Sequence, residues 1–169
     1  VKNRARRAEQ EPPARIAAER RIVAAADRLI CATPHESDFL VQLYGAQRDC
    51  VAVVPAGVDL TRFRPGDQAT ARSHLGLDDG PIVLFVGRLE PLKGVDILLR
   101  AVAATELDRP ITLIVAGGDR ESAPAAVADL DVLAHELGIG DRVGFVGSVP
   151  RDGLPEYYQA AEFCVVPSD

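Results

Sequence analysis

Six short runs dominated by valine, isoleucine and other apolar residues alternate with longer amphipathic stretches: Leu29–Ala32, Val51–Val54, Ile82–Val86, Ile111–Ala116, Val143–Val146 and Phe163–Val166. A strand that is apolar at successive positions must be covered on both faces. The alternation therefore predicts an α/β chain with parallel sheets and helices packed against them. Helices are expected over Gly94–Ala104, Pro124–Leu137 and Gly153–Ala160. Another opens at Thr33, Pro34 and Glu36, which read as an N-cap, a proline at the first helical position and a capping-box acid, and it ends near Gly45.

The rhythm breaks between Pro55 and Gly80, where Pro-Ala-Gly, Arg-Pro-Gly-Asp and Asp-Asp-Gly surround one short helical stretch, Ala69–Leu75. Such punctuation reads as a connection between two lobes. Two strands precede it, too few to close a domain, and four follow it with crossover helices. The expected organisation is the end of one doubly wound domain over residues 1–58, an interdomain connection over 59–80, and the front of a second such domain over 81–169. With no Met, a start at Val1 and a stop at Asp169 just after an apolar run, the chain is expected to be an internal segment of a longer protein.

Net charge is −6 across 169 residues, which argues against general nucleic-acid binding, because that requires an excess of cations facing phosphates. Charge is uneven. Residues 1–28 hold eight Lys/Arg against four Asp/Glu, whereas residues 95–169 hold five against thirteen. A basic opening suits an anion or an anionic membrane surface, and equally an ordinary solvated helix face. No run approaches the roughly 18 apolar residues of a membrane span, and no export signal is expected. Cys31, Cys50 and Cys164 lie far apart without metal-ligand spacing. Reduced thiols in a cytoplasmic protein are the expectation.

Ligands of open parallel sheets bind at the carboxyl ends of strands, where helix N-termini also point. Three strand-to-helix turns stand out. The first is Val-Gly-Arg-Leu-Glu-Pro-Leu-Lys-Gly from Val86 to Gly94. Arg88 follows the strand at once, and Lys93, one of only two lysines, sits where the next helix begins. A planar guanidinium fork, a compact ammonium and free backbone amides suit a diphosphate. Alternatively, Arg88 and Lys93 pair with Glu90 or solvate the turn. The second turn, Ala116-Gly117-Gly118-Asp119, either lets backbone approach a ligand or forms an ordinary tight turn. The third, Phe145 to Pro150, offers the backbone of Gly147, Ser148 and Val149 to a nucleobase.

Other phosphate and catalytic signatures are missing. No GxGxxG follows a strand, and neither GxxxxGK[ST] nor GxSxG occurs. His35, His74 and His135 have no metal-ligand spacing and read as surface or cap residues. The pairs Asp78/Asp79 and Glu9/Glu11 read as solvated loops.

The chain resembles the retaining, nucleotide-sugar-dependent glycosyltransferases of the GT-B fold. The similarity is to the group that includes sucrose-phosphate synthase-like enzymes and the D-inositol-3-phosphate glycosyltransferases of mycothiol biosynthesis. The resemblance is carried by Ala26-Asp27-Arg28-Leu29-Ile30, by Val53-Val54-Pro55-Ala56-Gly57-Val58-Asp59 with Phe63, and by Val86-Gly87-Arg88 through Lys93-Gly94. Val115-Ala116-Gly117-Gly118, Val143 through Gly147, and Tyr158-Gln159-Ala160-Ala161-Glu162 through Ser168 continue it in the family's order.

It implies two Rossmann-like parallel-sheet domains, both incomplete here, with the acceptor on the first and the nucleotide sugar on the second. It further implies that Arg88 and Lys93 bind the donor diphosphate and offset charge on the leaving phosphate. By the same resemblance Gly117 and Gly118 line the donor side, the backbone near Val149 faces the base, and Arg15 contacts an acceptor phosphate. No cofactor and no metal for the transfer are implied. A cation that the mycothiol enzyme carries near the positions of Tyr158, Gln159 and Ala161 is not carried over. The family's second acidic motif, a glutamate pair, would begin beyond Asp169, and its glycine-rich donor loop and catalytic-site histidine belong before Val1.

The expected function is transfer of a hexose from a nucleoside-diphosphate sugar to a small hydroxyl acceptor such as a phosphorylated polyol or sugar, with this segment inactive alone. A sugar-nucleotide epimerase and a non-catalytic nucleotide-binding lobe are the alternatives. No nucleic-acid partner and no transmembrane segment are expected; peripheral membrane contact is compatible with the basic opening.

Overall fold

The computed structural model describes residues 13–118 and 123–168. Residues 1–12, which include Lys2, Glu9, Glu11 and part of the basic opening, lie outside the described residues, as does Asp119. The chain forms two compact units, Val1–Val58 and Asp59–Asp169.

In the first unit, helix α1 (Pro13–Ala25) precedes strand β1 (Leu29–Cys31), helix α2 (Pro34–Tyr44) and strand β2 (Val51–Val53). β1 and β2 are parallel, with Leu29, Ile30 and Cys31 opposite Val51, Ala52 and Val53. The start of α2 follows its local chemistry. Thr33 Oγ1 accepts from the Glu36 amide at 3.1 Å, and the Glu36 carboxylate accepts from the Ala32 amide at 2.8 Å. Gly45, at φ 74°, ends the helix, with its own amide and that of Ala46 donating to the carbonyls of Val41 and Leu40. A left-handed terminal residue of this kind favours glycine.

The second unit contains helix α3 (Gln68–Leu75), strand β3 (Ile82–Val86), helix α4 (Val95–Ala104), strand β4 (Thr112–Ala116), helix α5 (Pro124–Glu136), strand β5 (Val143–Gly147), helix α6 (Leu154–Ala160) and strand β6 (Phe163–Cys164). The sheet order is β5-β4-β3-β6, with every pairing parallel. After two crossovers in one direction the chain returns to the far side of β3, so strand order reverses between β3 and β6. β6 is shorter than the apolar run Phe163–Val166 suggested.

Alternate residues of the strands face opposite layers. Val83, Phe85, Leu113 and Val115 pack with Leu98, Leu99 and Val102 of α4 and with Val127 and Ala134 of α5. Ile82, Leu84, Ile114 and Ala116 pack on the other side with Leu77, Tyr157 and Ala161. Leu99, Leu113 and Val115 are fully enclosed. Covering both faces explains why these strands are apolar throughout.

Residues 59–80, expected as an interdomain connection, fall within the second unit, because they dock on α6. The Phe63 and Tyr158 rings meet edge-on with centroids 6.0 Å apart, and Gln159 Nε2 donates to the Arg64 carbonyl at 3.0 Å. Buried Arg72 donates to the Ala160 carbonyl at 2.9 Å and to Glu162 Oε1 at 2.6 Å. Glu162 Oε2 also accepts from the Ile82 amide. Burial works against the charged form of Glu162, but the hydrogen bonds from the Ile82 amide and Arg72 outweigh it and hold the carboxyl below its ordinary range.

Candidate active site

The turns after β3, β4 and β5 are laced together through backbone. The Gly87 amide donates to the Ala116 carbonyl at 3.0 Å, and the Gly117 amide donates to the Gly147 carbonyl at 2.7 Å. Gly117 has φ 145°, and a Cβ there would lie 1.8 Å from the Gly87 carbonyl oxygen. No side chain fits. Gly118, at φ 57°, lies against Leu89, whose side-chain carbons would be 2.8 Å from an added Cβ.

Above this backbone floor is a cleft of about 250 Å³, lined by Gly87, Arg88, Gly117, Gly118, Ser148 and Val149 together with the ends of β3 and β4. Four expected site residues, Arg88, Gly117, Gly118 and Val149, thus share one hollow at the carboxyl edge of the sheet, the position where such sheets take ligands. Gly87 was not singled out for a ligand from the sequence; its signal is a glycine placed immediately after an apolar strand.

Lys93 does not line this cleft. It closes a 3-10 turn, Pro91–Lys93, and is half-buried, with no ion pair among the described residues. Gly94 follows at φ 64° and begins α4. A Cβ on Gly94 would meet the Pro167 carbonyl at 2.6 Å, so the turn after β3 abuts the segment after β6 where strand order reverses.

Arg88 is 77% exposed, and its Nη1 lies 2.7 Å from Glu90 Oε1. The cation beside the cleft is therefore paired with a carboxylate from its own turn.

Arg15 belongs to the first unit. Its Nε donates to Glu19 Oε1 at 3.1 Å, and the Tyr44 hydroxyl donates to Glu19 Oε2 at 2.7 Å. The hydrogen bond from Tyr44, then that from Arg15, hold Glu19 below the usual carboxylate range.

The histidines are engaged locally. His35 stacks at a tilt on Phe39, His74 Nδ1 lies 3.2 Å from Glu156, and His135 Nδ1 lies 2.8 Å from the Asp131 carbonyl. Among the described residues, no three His, Cys, Asp or Glu side chains gather as a metal site, and no helix is long and apolar enough to cross a membrane.

Comparison with known proteins supplies a family. The family model for glycosyl transferases group 1 matches residues 67–169, and that for glycosyltransferase family 4 matches residues 4–62. A D-inositol 3-phosphate glycosyltransferase of Nocardia farcinica is 46% identical over 162 residues, covering 94% of this chain and 36% of that protein. D-inositol 3-phosphate glycosyltransferase 2 of Catenulispora acidiphila is 49% identical over 164 residues, covering 94% of this chain and 38% of that protein. The chain therefore spans well under half the length of these curated relatives. Among solved structures, a sucrose-phosphate synthase from Thermosynechococcus elongatus superposes with a TM-score of 0.82 at 34% identity, covering 98% of this chain and 40% of that one. An Anabaena protein solved with UDP and glucose shares the fold at 23% identity, with a TM-score of 0.80 over 95% of this chain and 43% of that one.

Proposed function

Because the chain belongs to the group 1 glycosyl transferases, we propose that it carries the donor-diphosphate grip of a retaining hexosyltransferase of the GT-B fold. The proposed donor is a nucleoside-diphosphate sugar, and the proposed acceptor is a small phosphorylated polyol of the inositol phosphate kind. The observation that carries this reading is the cleft in which Arg88 meets the backbone of Gly87, Gly117 and Gly118.

In the proposed reaction the bond between sugar C1 and the diphosphate oxygen breaks, a bond from C1 to an acceptor hydroxyl oxygen forms on the same face, and the hydroxyl proton passes by way of the departing phosphate to solvent. The leaving diphosphate gains a negative charge as the bond breaks. Arg88, released from Glu90, offers a fork for two phosphate oxygens, and Lys93 adds a point charge from the start of α4. Cations brought against the leaving phosphate stabilise the charge that develops on it. Gly117 and Gly118 line the donor side with backbone, and the backbone near Val149 faces the base.

Residues 1–58 are assigned to the acceptor side, with Arg15 on the acceptor phosphate, and residues 81–169 to the donor side. The relatives named as D-inositol 3-phosphate glycosyltransferases support the choice of acceptor. The whole protein is assigned to the cytoplasm, and this chain alone is not expected to complete the transfer.

Calorimetry of UDP-, GDP- and ADP-sugars with the full-length protein tests the reading. Arg88→Ala and Lys93→Ala are each expected to weaken donor binding by about tenfold, roughly 1.4 kcal/mol. Unchanged donor affinity in both variants overturns the assignment.

A further inference from the structure

We infer that Glu90 is a built-in counter-ion to Arg88, a positioning residue that donor diphosphate displaces and that disfavours retention of the spent nucleoside diphosphate. This deepens the donor reading above and rests on it.

The basis is geometric. Arg88 lines the cleft and Glu90 does not, yet their side chains meet at 2.7 Å. Arg88 therefore borders the hollow while its guanidinium is held by a carboxylate of the same turn. Glu90 is held there by its backbone. Its carbonyl accepts from the Lys93 amide at 2.8 Å, and it caps the 3-10 turn that leads to α4.

The side chains are 77% and 44% exposed, so the pair lies in water and exchanges readily. A solvated pair of this kind is weak. A diphosphate presents oxyanions that match the guanidinium fork in a bidentate arrangement, so it replaces the single carboxylate contact. The displaced carboxylate then stays beside the bound anion and repels it.

That repulsion is not equal for substrate and product. The diphosphate of a nucleotide sugar carries one charge on each phosphate, and cleavage of the C1–O bond leaves a terminal phosphate with further charge near neutral pH. Like-charge repulsion grows with the charge on the partner. Glu90 thus penalises the product more than the donor and restores a neutral Arg88 pair when the product departs.

The test compares the full-length protein with Glu90→Gln, which keeps size and hydrogen-bonding capacity without charge. UDP, GDP and ADP are the probes, with the corresponding sugar nucleotides alongside, at low and at high salt. For whichever nucleotide binds, Glu90→Gln is expected to tighten the diphosphate by about two- to fivefold, the range open to an exposed ion pair. The sugar nucleotide gains less, and both gains shrink at high salt as screening grows. In an Arg88→Ala background the gain shrinks to the part that comes from repulsion alone.

Unchanged or weaker diphosphate binding in Glu90→Gln overturns the inference, as does a gain of undiminished size without Arg88. The donor reading fails separately: if Arg88→Ala leaves diphosphate affinity unchanged, the cleft assignment itself is wrong. A tenfold loss in Arg88→Ala with a neutral Glu90→Gln removes only the role of Glu90.

Discussion

The α-carbon of Gly117 approaches the Gly87 carbonyl so closely that a methyl group on it would lie 1.8 Å from that oxygen. Two turns from adjacent strands are thus in backbone contact under the candidate diphosphate cleft. Gly117→Ala is expected to force them apart. Strain at a backbone conformation that disfavours side chains, with the overlap added, should cost about 1–3 kcal/mol or more. Urea titration followed by far-UV circular dichroism reads the stability, and nucleotide titration should show weaker donor binding. A variant with unchanged midpoint and affinity would show that the turns tolerate separation.

Arg15 is the second residue open to a direct check. Arg15→Ala in the full-length protein is expected to raise the apparent constant for a phosphorylated acceptor while leaving donor affinity unchanged. Steady-state kinetics with phosphorylated and unphosphorylated polyols distinguishes this from a general loss. Equal effects on both acceptors would remove Arg15 from the phosphate.

Glu162 gives a pH signature. Its carboxyl is held below the ordinary value of 4.5 in the folded chain. A carboxyl with a depressed folded value contributes stability that is present above the unfolded value and is lost as pH falls through the folded one. Stability of the second unit should therefore fall as pH drops below about 4.5, and Glu162→Gln should flatten that limb while lowering stability at neutral pH. Urea midpoints measured across pH check both.

Arg72→Met probes the same clip from the buried side. Loss of the guanidinium leaves the Ala160 carbonyl and Glu162 Oε1 without the Arg72 donor, and removal of a hydrogen bond to a charged group costs about 1.5–3 kcal/mol. Part of that is moderated because Glu162 is 38% exposed. Thermal denaturation of Arg72→Met and Glu162→Gln singly and together should show less than additive losses.

The core offers a calibration. Leu99 is fully buried between α4 and the sheet, and Leu99→Ala is expected to destabilise by about 2–5 kcal/mol, as cavity-forming changes of this type do. Nucleotide affinity at low temperature should change far less than in Gly117→Ala.

The strands were legible because burial on two faces leaves its mark on every residue, and β3 runs over Ile82–Val86 as the pattern implied. The capping of α2 was legible because Thr33, Glu36 and Gly45 act within a few residues of one another. Helix α1 left no comparable mark: alanines and arginines alternate with apolar residues without a clear stripe. The role of residues 59–80 was hidden for a different reason. Phe63, Arg64 and Arg72 find their partners about ninety residues later, and nothing in the local pattern of a Pro- and Gly-rich stretch points to partners so distant. At the site, local spacing brought forward the turns that meet at one edge of the sheet, but not that Arg88 would pair with Glu90 or that Lys93 would close a 3-10 turn.

The placement of β6 beside β3 has a bearing on how the chain is made. As the polypeptide emerges from the ribosome, β3, β4 and β5 can zip together in order, yet the outer edge of β3 waits for Phe163 and Cys164, some eighty residues after it. Until Glu162 arrives, the Ile82 amide has no acceptor and Arg72 has no carboxylate. An unpaired strand edge is a template for association with other chains. Among the described strands, β6 is thus the one that covers the outer edge of β3, and a nascent chain stalled just short of it would leave that edge open.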